Sequence, residues 1–284
     1  MVRDPLPTGL IRSYLFLQDM LEGQKFRAIF QPIVDLSTRR PIGFEALARG
    51  THEQLSANPA DLLHLAEQSG LARELSRRFR LVAAQAAAAL PAGTRLFFNL
   101  HPSELSDANL LESLSTLEKK LAPRYQIVLE VHEDSVTDIP SLRGLSTSLA
   151  SLGMEFAYDD FGTGQSRLME LAEVSPRFIK LDMGLTRGID NSQPRQQIVR
   201  AIARVAQSLG VQVIAEGIET VAEADACFRL GCTLGQGFLF GRPRPAEALL
   251  RNQPDTNLID VSNLRNRIQK LDSRGKSRCG QIYL

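Results

Sequence analysis

Six short apolar runs in this 284-residue chain each end on acids, an amide or a lysine, and a helical pattern follows most of them. Pro41–Phe44 leads into Glu45, Leu96–Phe98 into Asn99 and Ile127–Leu129 into Glu130. Phe156–Tyr158 leads into Asp159 and Asp160, Phe178–Ile179 into Lys180, and Val211–Ala215 into Glu216. Gathered at one mouth, five carboxylates repel one another unless they are protonated or neutralised by cations. Hard oxygen donors with a single amide suit Mg²⁺ or Mn²⁺. The economical reading of these residues is a two-metal hydrolytic centre.

The elements that must bring these residues together are short buried strands. Parallel strands covered on both faces read as continuous apolar segments, and repeated strand-helix units close into a barrel with its active site at the strands' carboxyl ends. Tyr14, Leu17 and Leu21 are spaced for a short opening helix over about Ser13–Glu22, ended by Gly23. Phe26–Val34 and Arg40–Leu47 read as strands separated by Asp35–Thr38, an interval short enough for an antiparallel pair. Ala60–Gly70 and Leu71–Ala89 carry helical patterns before Pro91-Ala92-Gly93 resets the chain. Pro194 suits a first helical turn, with Ile198, Ile202, Val205 and Leu209 predicted along one face and Gly210 as the stop. Val211–Ala215 then reads as a strand, Val221–Leu230 as a helix, and Thr233–Gln236 as the last strand.

The expected organisation is an opening helix in residues 1–25, one α/β domain over 26–245, and a C-terminal helix and mobile tail over 246–284. Leu258, Val261, Leu264, Ile268 and Leu271 make a nearly heptad stripe, read as a helix docked on the domain, with helix-mediated pairing as the alternative. With 33 basic and 32 acidic residues the charge is +1, which gives no general drive toward a nucleic-acid polymer or an anionic membrane. Cys227, Cys232 and Cys279 are odd in number and lack paired C-x-x-C spacing, so neither a disulfide framework nor a zinc site is indicated. The amino terminus carries Arg12 and Asp19 in its most apolar stretch, unlike a signal peptide. No uncharged apolar run approaches the ~20 residues a membrane span needs, so the expectation is a cytoplasmic protein without membrane insertion.

The strand-end residues lie in the strings GFEALARG, FFNLHPSEL, LEVHED, YDDFGTGQS, IKLD, AEGIET and GQGFLFGRP. In this order the strings resemble an EAL-domain cyclic di-GMP phosphodiesterase, over roughly Phe26 to Pro245. The resemblance implies a modified TIM barrel with one antiparallel strand, a pair of Mg²⁺ or Mn²⁺ ions, and hydrolysis of cyclic di-GMP to linear pGpG. Carried over by position, Glu45, Asn99, Glu130 and Asp159 hold the first ion. Asp159 bridges to the second, which Asp160 and Glu216 support. Lys180 acts on the attacking water and Gln236 positions groups at the reaction centre. Gln31, Leu47 and Arg49 fall where the family contacts its ligand, joined there by Asn99 and Gln236. Two cations about 3.5–4 Å apart lower the pKa of a bridging water and neutralise charge developing on phosphate. Ca²⁺, larger and more loosely coordinated, is expected to inhibit.

The resemblance also implies that Glu133 anchors the loop after the paired aspartates, that Gly162 and Gly164 let it turn, and that it couples the metals to a homodimer. Gln165 stands there where an aromatic is common, and Arg167 where a small polar residue is usual. Glu219 is read as an acid that orients Lys180 or a metal-held water, against a plain structural pair. His101 and His132 lie near the mouth and are read as structural, as His52 and His64 are. The competing function is a catalytically weak cyclic di-GMP receptor that signals to a regulatory protein partner.

Overall fold

A computed structural model describes residues 8–132, 139–162 and 168–251 of the chain. The chain divides into two units, Met1–Ala246 and Glu247–Leu284. The heptad-like stripe from Leu258 to Leu271 and the tail beyond it lie outside the described residues.

The first unit opens with α1 (Thr8–Glu22), followed by β1 (Phe26–Asp35) and β2 (Pro41–Gly50). These two strands form the expected antiparallel pair, with Gln31 opposite Glu45 and Arg27 opposite Arg49. The turn between them is set by Asp35, whose Oδ1 accepts from the backbone N–H groups of Ser37 and Thr38. Next come α2 (Pro59–Gln68), α3 (Ala72–Ala86), β3 (Arg95–Leu100), α4 (Leu110–Leu121) and β4 (Gln126–His132). α5 (Ile139–Ser151), β5 (Glu155–Phe161), α6 (Leu168–Glu173) and β6 (Phe178–Leu181) continue the alternation. α7 (Met183–Thr186), α8 (Gln193–Ser208), β7 (Gln212–Ala215), α9 (Val221–Leu230) and β8 (Leu234–Gln236) complete it, and α10 spans Ala246–Arg251. The eight strands close into a barrel in sequence order, β1 antiparallel to both β2 and β8 and every other neighbouring pair parallel. This is the modified TIM barrel with one reversed strand.

Two layers of core support it. Inside the barrel, Ile33, Phe97, Val128, Ala157, Phe178, Ile214 and Leu234 pack as one buried cluster. Outside it, Leu17, Met20, Phe26, Leu62, Ala66 and Leu75 join α1, α2 and α3 to β1. The face of α8 differs from the sequence expectation. Val199, Ile202, Ala203 and Ala206 are buried, whereas Ile198 and Val205 are 48% and 37% exposed. Both stripes have helical spacing; the alanines win because small side chains let α8 lie close to its neighbours, as the approach of Ala203 to Gly231 illustrates. Cys227 and Cys232 are buried and free, and no helix among the described residues is long and apolar enough to cross a membrane.

One buried ion pair ties α3 to the end of β3. Arg80 and Glu104 are 4% and 0% exposed. Arg80 Nη1 donates to Glu104 Oε1 at 2.7 Å and to the Asn99 carbonyl at 3.2 Å, while its Nη2 donates to Glu104 Oε2. Removing one member strands the other without solvent, so Arg80→Ala and Glu104→Ala should each lower the unfolding free energy by about 3–5 kcal/mol. The exposed Arg78–Glu74 pair one turn away provides the contrast, since Arg78→Ala should cost only about 0.5 kcal/mol. Urea unfolding of the three variants measures both, and equal losses would remove the distinction.

Candidate active site

Residues two apart on a strand face the same side. The barrel's inner apolar layer therefore dictates what stands above it. Phe97 is followed two residues later by Asn99, Val128 by Glu130, Ala157 by Asp159, Phe178 by Lys180, Ile214 by Glu216 and Leu234 by Gln236. β1 runs the other way, so Gln31 lies two residues before Ile33. On β2 the position beneath Glu45 is Gly43, where a Cβ would stand 3.1 Å from the Phe97 ring. A closed apolar plug thus carries a polar layer drawn from all eight strands.

Lys180 is the centre of that layer and is 1% exposed. Its Nζ lies 2.6 Å from Glu130 Oε1, 2.9 Å from Asp159 Oδ1, 2.9 Å from Glu216 Oε1 and 3.6 Å from Glu45 Oε2. Burial alone would push the lysine's pKa down, but Asp159, Glu130, Glu216 and Glu45 outweigh it and hold the ammonium well above its usual range. The acids pay for their crowding. Burial, then the charge of Glu45, pushes Glu130 well above the usual carboxylate range despite Lys180. Burial also raises Glu216 to about 8, with Lys180 opposing and Asp159 adding to the rise. Glu130 lies within ion-pair distance of Lys180, yet neither of its oxygens, nor Asp159 Oδ1, receives a well-directed hydrogen bond.

Consecutive residues on a regular strand point to opposite faces, so Asp159 and Asp160 would not share a mouth on an unbroken β5. The pairing of β5 with β6 slips between Tyr158 and Phe161, and Asp160 adopts a left-handed φ of 54° that an aspartate tolerates. Asp159, Asp160 and Glu216 consequently offer carboxylate oxygens within 4.8 Å of one another. His132 Nε2 lies 3.4 Å from Asp160 Oδ2. Burial and Asp159 raise the Asp160 pKa, against His132 and Lys180. Gly162 comes next after Phe161 with φ +100°, a left-handed backbone that favours glycine. Glu133 and Gly164 lie outside the described residues.

Amides organise the other side of the mouth. Gln236 Nε2 donates to Glu45 Oε2 at 2.5 Å and to Gln31 Oε1 at 3.1 Å, and Asn99 Nδ2 donates to Glu45 Oε1 at 3.2 Å. Leu47 and Arg49 share the face of β2 that carries Glu45. Glu219 is exposed and accepts from Arg187 Nη2. Its neighbour Glu223, absent from the sequence reading, is buried and accepts from the backbone N–H groups of Gly188, Glu219 and Thr220. Thr186 Oγ1 donates to the carbonyl of Glu216, and Arg80 to that of Asn99. Glu223 was legible as the capping box T-V-A-E, but Thr186 and Arg80 act on backbone carbonyls and carry no motif.

The chain is similar to known proteins in sequence and fold. The chain is 34% identical over 259 residues to the cyclic di-GMP phosphodiesterase PA2567 of Pseudomonas aeruginosa, an alignment covering 86% of this chain and 43% of that protein. This chain thus spans less than half of that relative. The solved PaMucR phosphodiesterase, in complex with c-di-GMP, superposes with a TM-score of 0.73 at 30% identity, covering 84% of this chain and 99% of that one. Klebsiella pneumoniae BlrP1, solved as a calcium/cy-diGMP complex, gives a TM-score of 0.70 at 32% identity over 78% of this chain and 56% of its own; its manganese complex gives 0.69. The EAL domain family matches residues 16–243, which takes in all eight strands and every described residue of the mouth, and the chain belongs to that family.

Proposed function

We propose that this chain hydrolyses cyclic di-GMP to linear pGpG at the barrel mouth, using two divalent cations, Mg²⁺ or Mn²⁺. The observation that carries the reading is the donor set. Four carboxylates converge on one lysine with Asp160 beside them, and three buried carboxylate oxygens lack a directed hydrogen bond. Buried charge without a partner is costly, and hard cations relieve it. Glu45, Asn99, Glu130 and Asp159 fit one ion; Asp159, Asp160 and Glu216 fit the second. Bound there, the two ions would neutralise charge on the phosphate and make the attacking water more acidic. Likeness to the phosphodiesterase PA2567, and to structures that hold the cyclic dinucleotide with calcium or manganese, supports the substrate and the cation class.

The chain's own groups complete the step. Lys180, kept protonated by the acids around it, favours hydroxide over water at the point of attack. Gln236 fixes the Glu45 carboxylate through its short hydrogen bond and holds Gln31 beside it. Arg49 offers a guanidinium fork to phosphate, and Leu47 an apolar surface between that fork and Glu45. The water oxygen bonds to phosphorus, the P–O3′ bond breaks, and O3′ leaves with a proton, giving the 5′-phosphate and 3′-hydroxyl of pGpG. Pairing of two barrels through the Asp160–Arg167 loop belongs to the same reading.

Product analysis after incubation with cyclic di-GMP and Mg²⁺, Mn²⁺ or a chelator tests it directly; intact substrate in every tube leaves a receptor. Glu45→Ala and Asp159→Ala should each lower metal-dependent turnover by more than about 100-fold, since losing even an indirect ligand support costs about 10–100-fold. Circular dichroism should meanwhile report a folded barrel, and near-normal rates would remove either residue from the ligand set.

Lys180→Ala should reduce kcat by about 100-fold or more with Kd for cyclic di-GMP changed only a few-fold, because its effect is on the attacking water. A loss confined to affinity contradicts that role. Ca²⁺ should support tight binding with little cleavage, its longer and more flexible coordination fitting the attack geometry poorly. Calcium-supported turnover equal to that with Mg²⁺ would refute this account of the cation.

A further inference from the structure

Counting back along β1 by twos from Gln31 passes Ile29 and reaches Arg27, on the face that lines the mouth. Counting forward along β2 from Glu45 passes Leu47 and reaches Arg49. The register sets the two arginines directly opposite each other at the rim. Like charges facing across an antiparallel pair repel. Burial lowers the Arg49 pKa, and Arg27 lowers it further, with only Glu45 acting the other way. Among the described residues neither arginine has an acid within ion-pair distance, and Arg49 turns Nη1 to the carbonyl of Ala48 at 2.6 Å. Other cations near the barrel do find one: Arg39 pairs with Asp225, Arg77 with Asp107, Arg95 with Glu155 and Lys25 with Asp19.

We propose that Arg27 is a substrate-binding residue that joins Arg49 in a two-arginine clamp for the phosphodiester of the cyclic dinucleotide that is not being cut. The inference rests on the hydrolytic reading of the site and extends it to a residue outside the strings that mark the family. Arg49 stands four residues beyond Glu45, about 13 Å along the strand at ~3.3 Å per residue. Long side chains bent over the mouth reach a phosphate held one nucleotide away from the acids. Two planar forks suit a phosphodiester, whose two free oxygens each accept from a guanidinium. The anion also removes the repulsion between the arginines, so the clamp is assembled at a cost that the ligand relieves. The acid cluster below would repel this phosphate, and the arginine pair offsets that repulsion where the cations are farthest away.

The test measures Kd for cyclic di-GMP on the full chain in calcium buffer, beside turnover in Mg²⁺. Arg27→Gln should raise Kd about tenfold, the scale of one charge-assisted hydrogen bond, Arg27→Glu more, and Arg27→Lys less. Arg200→Gln removes the same charge from the exposed side of α8 and should stay within about twofold. Because Arg27→Gln relieves a like-charge pair, its unliganded melting temperature should equal or exceed that of the parent. If Arg27→Gln and Arg27→Glu both bind within about twofold of a parent that cleaves cyclic di-GMP, or if Arg200→Gln weakens binding equally, the clamp is refuted and the hydrolytic reading stands. A parent that neither binds nor cleaves cyclic di-GMP overturns both.

Discussion

Everything at the mouth depends on one buried ammonium. Lys180 is two residues above Phe178, in a layer whose floor holds no polar side chain, so its charge has no route to solvent. Four carboxylates within 3.6 Å answer it, and their number is its own difficulty: one positive charge cannot balance them. The result is a set of raised carboxylate pKa values and undirected oxygens around a cation that stays protonated. Such a layer is poorly suited to stability and well suited to collecting divalent cations.

The reversed first strand gives the mouth its asymmetry. Parallel strands all deliver their carboxyl ends to the same rim, and they carry the acids and Lys180. β1 brings its amino-terminal half to that rim instead, so Gln31 arrives opposite Glu45 and next to Gln236. The chain of amide and carboxylate contacts from Gln31 through Gln236 and Glu45 to Asn99 ties together strands from both ends of the sequence. It is a hydrogen-bonded seam where the barrel closes, and it keeps the oxygens of Glu45 aimed while the opposite wall gathers its carboxylates around Lys180.

The loops that follow the strands are held by groups acting on the backbone. Arg80, paired with Glu104, holds the carbonyl of Asn99, Thr186 holds that of Glu216, and the Glu223 carboxylate collects three N–H groups from the loops after β6 and β7. Burial opposes the charge of Glu223, but the backbone donors of Gly188, Glu219 and Thr220 hold its pKa below the ordinary value. Each contact restrains the backbone beside a residue of the mouth without entering the polar layer. Positioning of this kind suits a site whose donors must stay fixed although they repel one another.

Much of this was legible in the sequence alone. Apolar runs ending in Glu45, Asn99, Glu130, Asp159, Lys180 and Glu216 read as buried strands with polar carboxyl ends, because burial on both faces leaves no alternation to confuse them. The short Asp35–Thr38 interval read as a reversal because few residues can join strands only in antiparallel fashion. Tertiary structure decided what depends on register and approach. A two-residue aspartate run cannot announce that a bulge and a left-handed φ will turn both carboxylates to one side. Local spacing supports two faces of α8 equally, and only the closeness allowed by Ala203 and Ala206 selected one. Glu219 pairs with Arg187, and Arg27 faces Arg49, because cross-strand and cross-loop partners are chosen by closure of the barrel, a constraint that acts on the whole chain and leaves no mark on any single stretch of it.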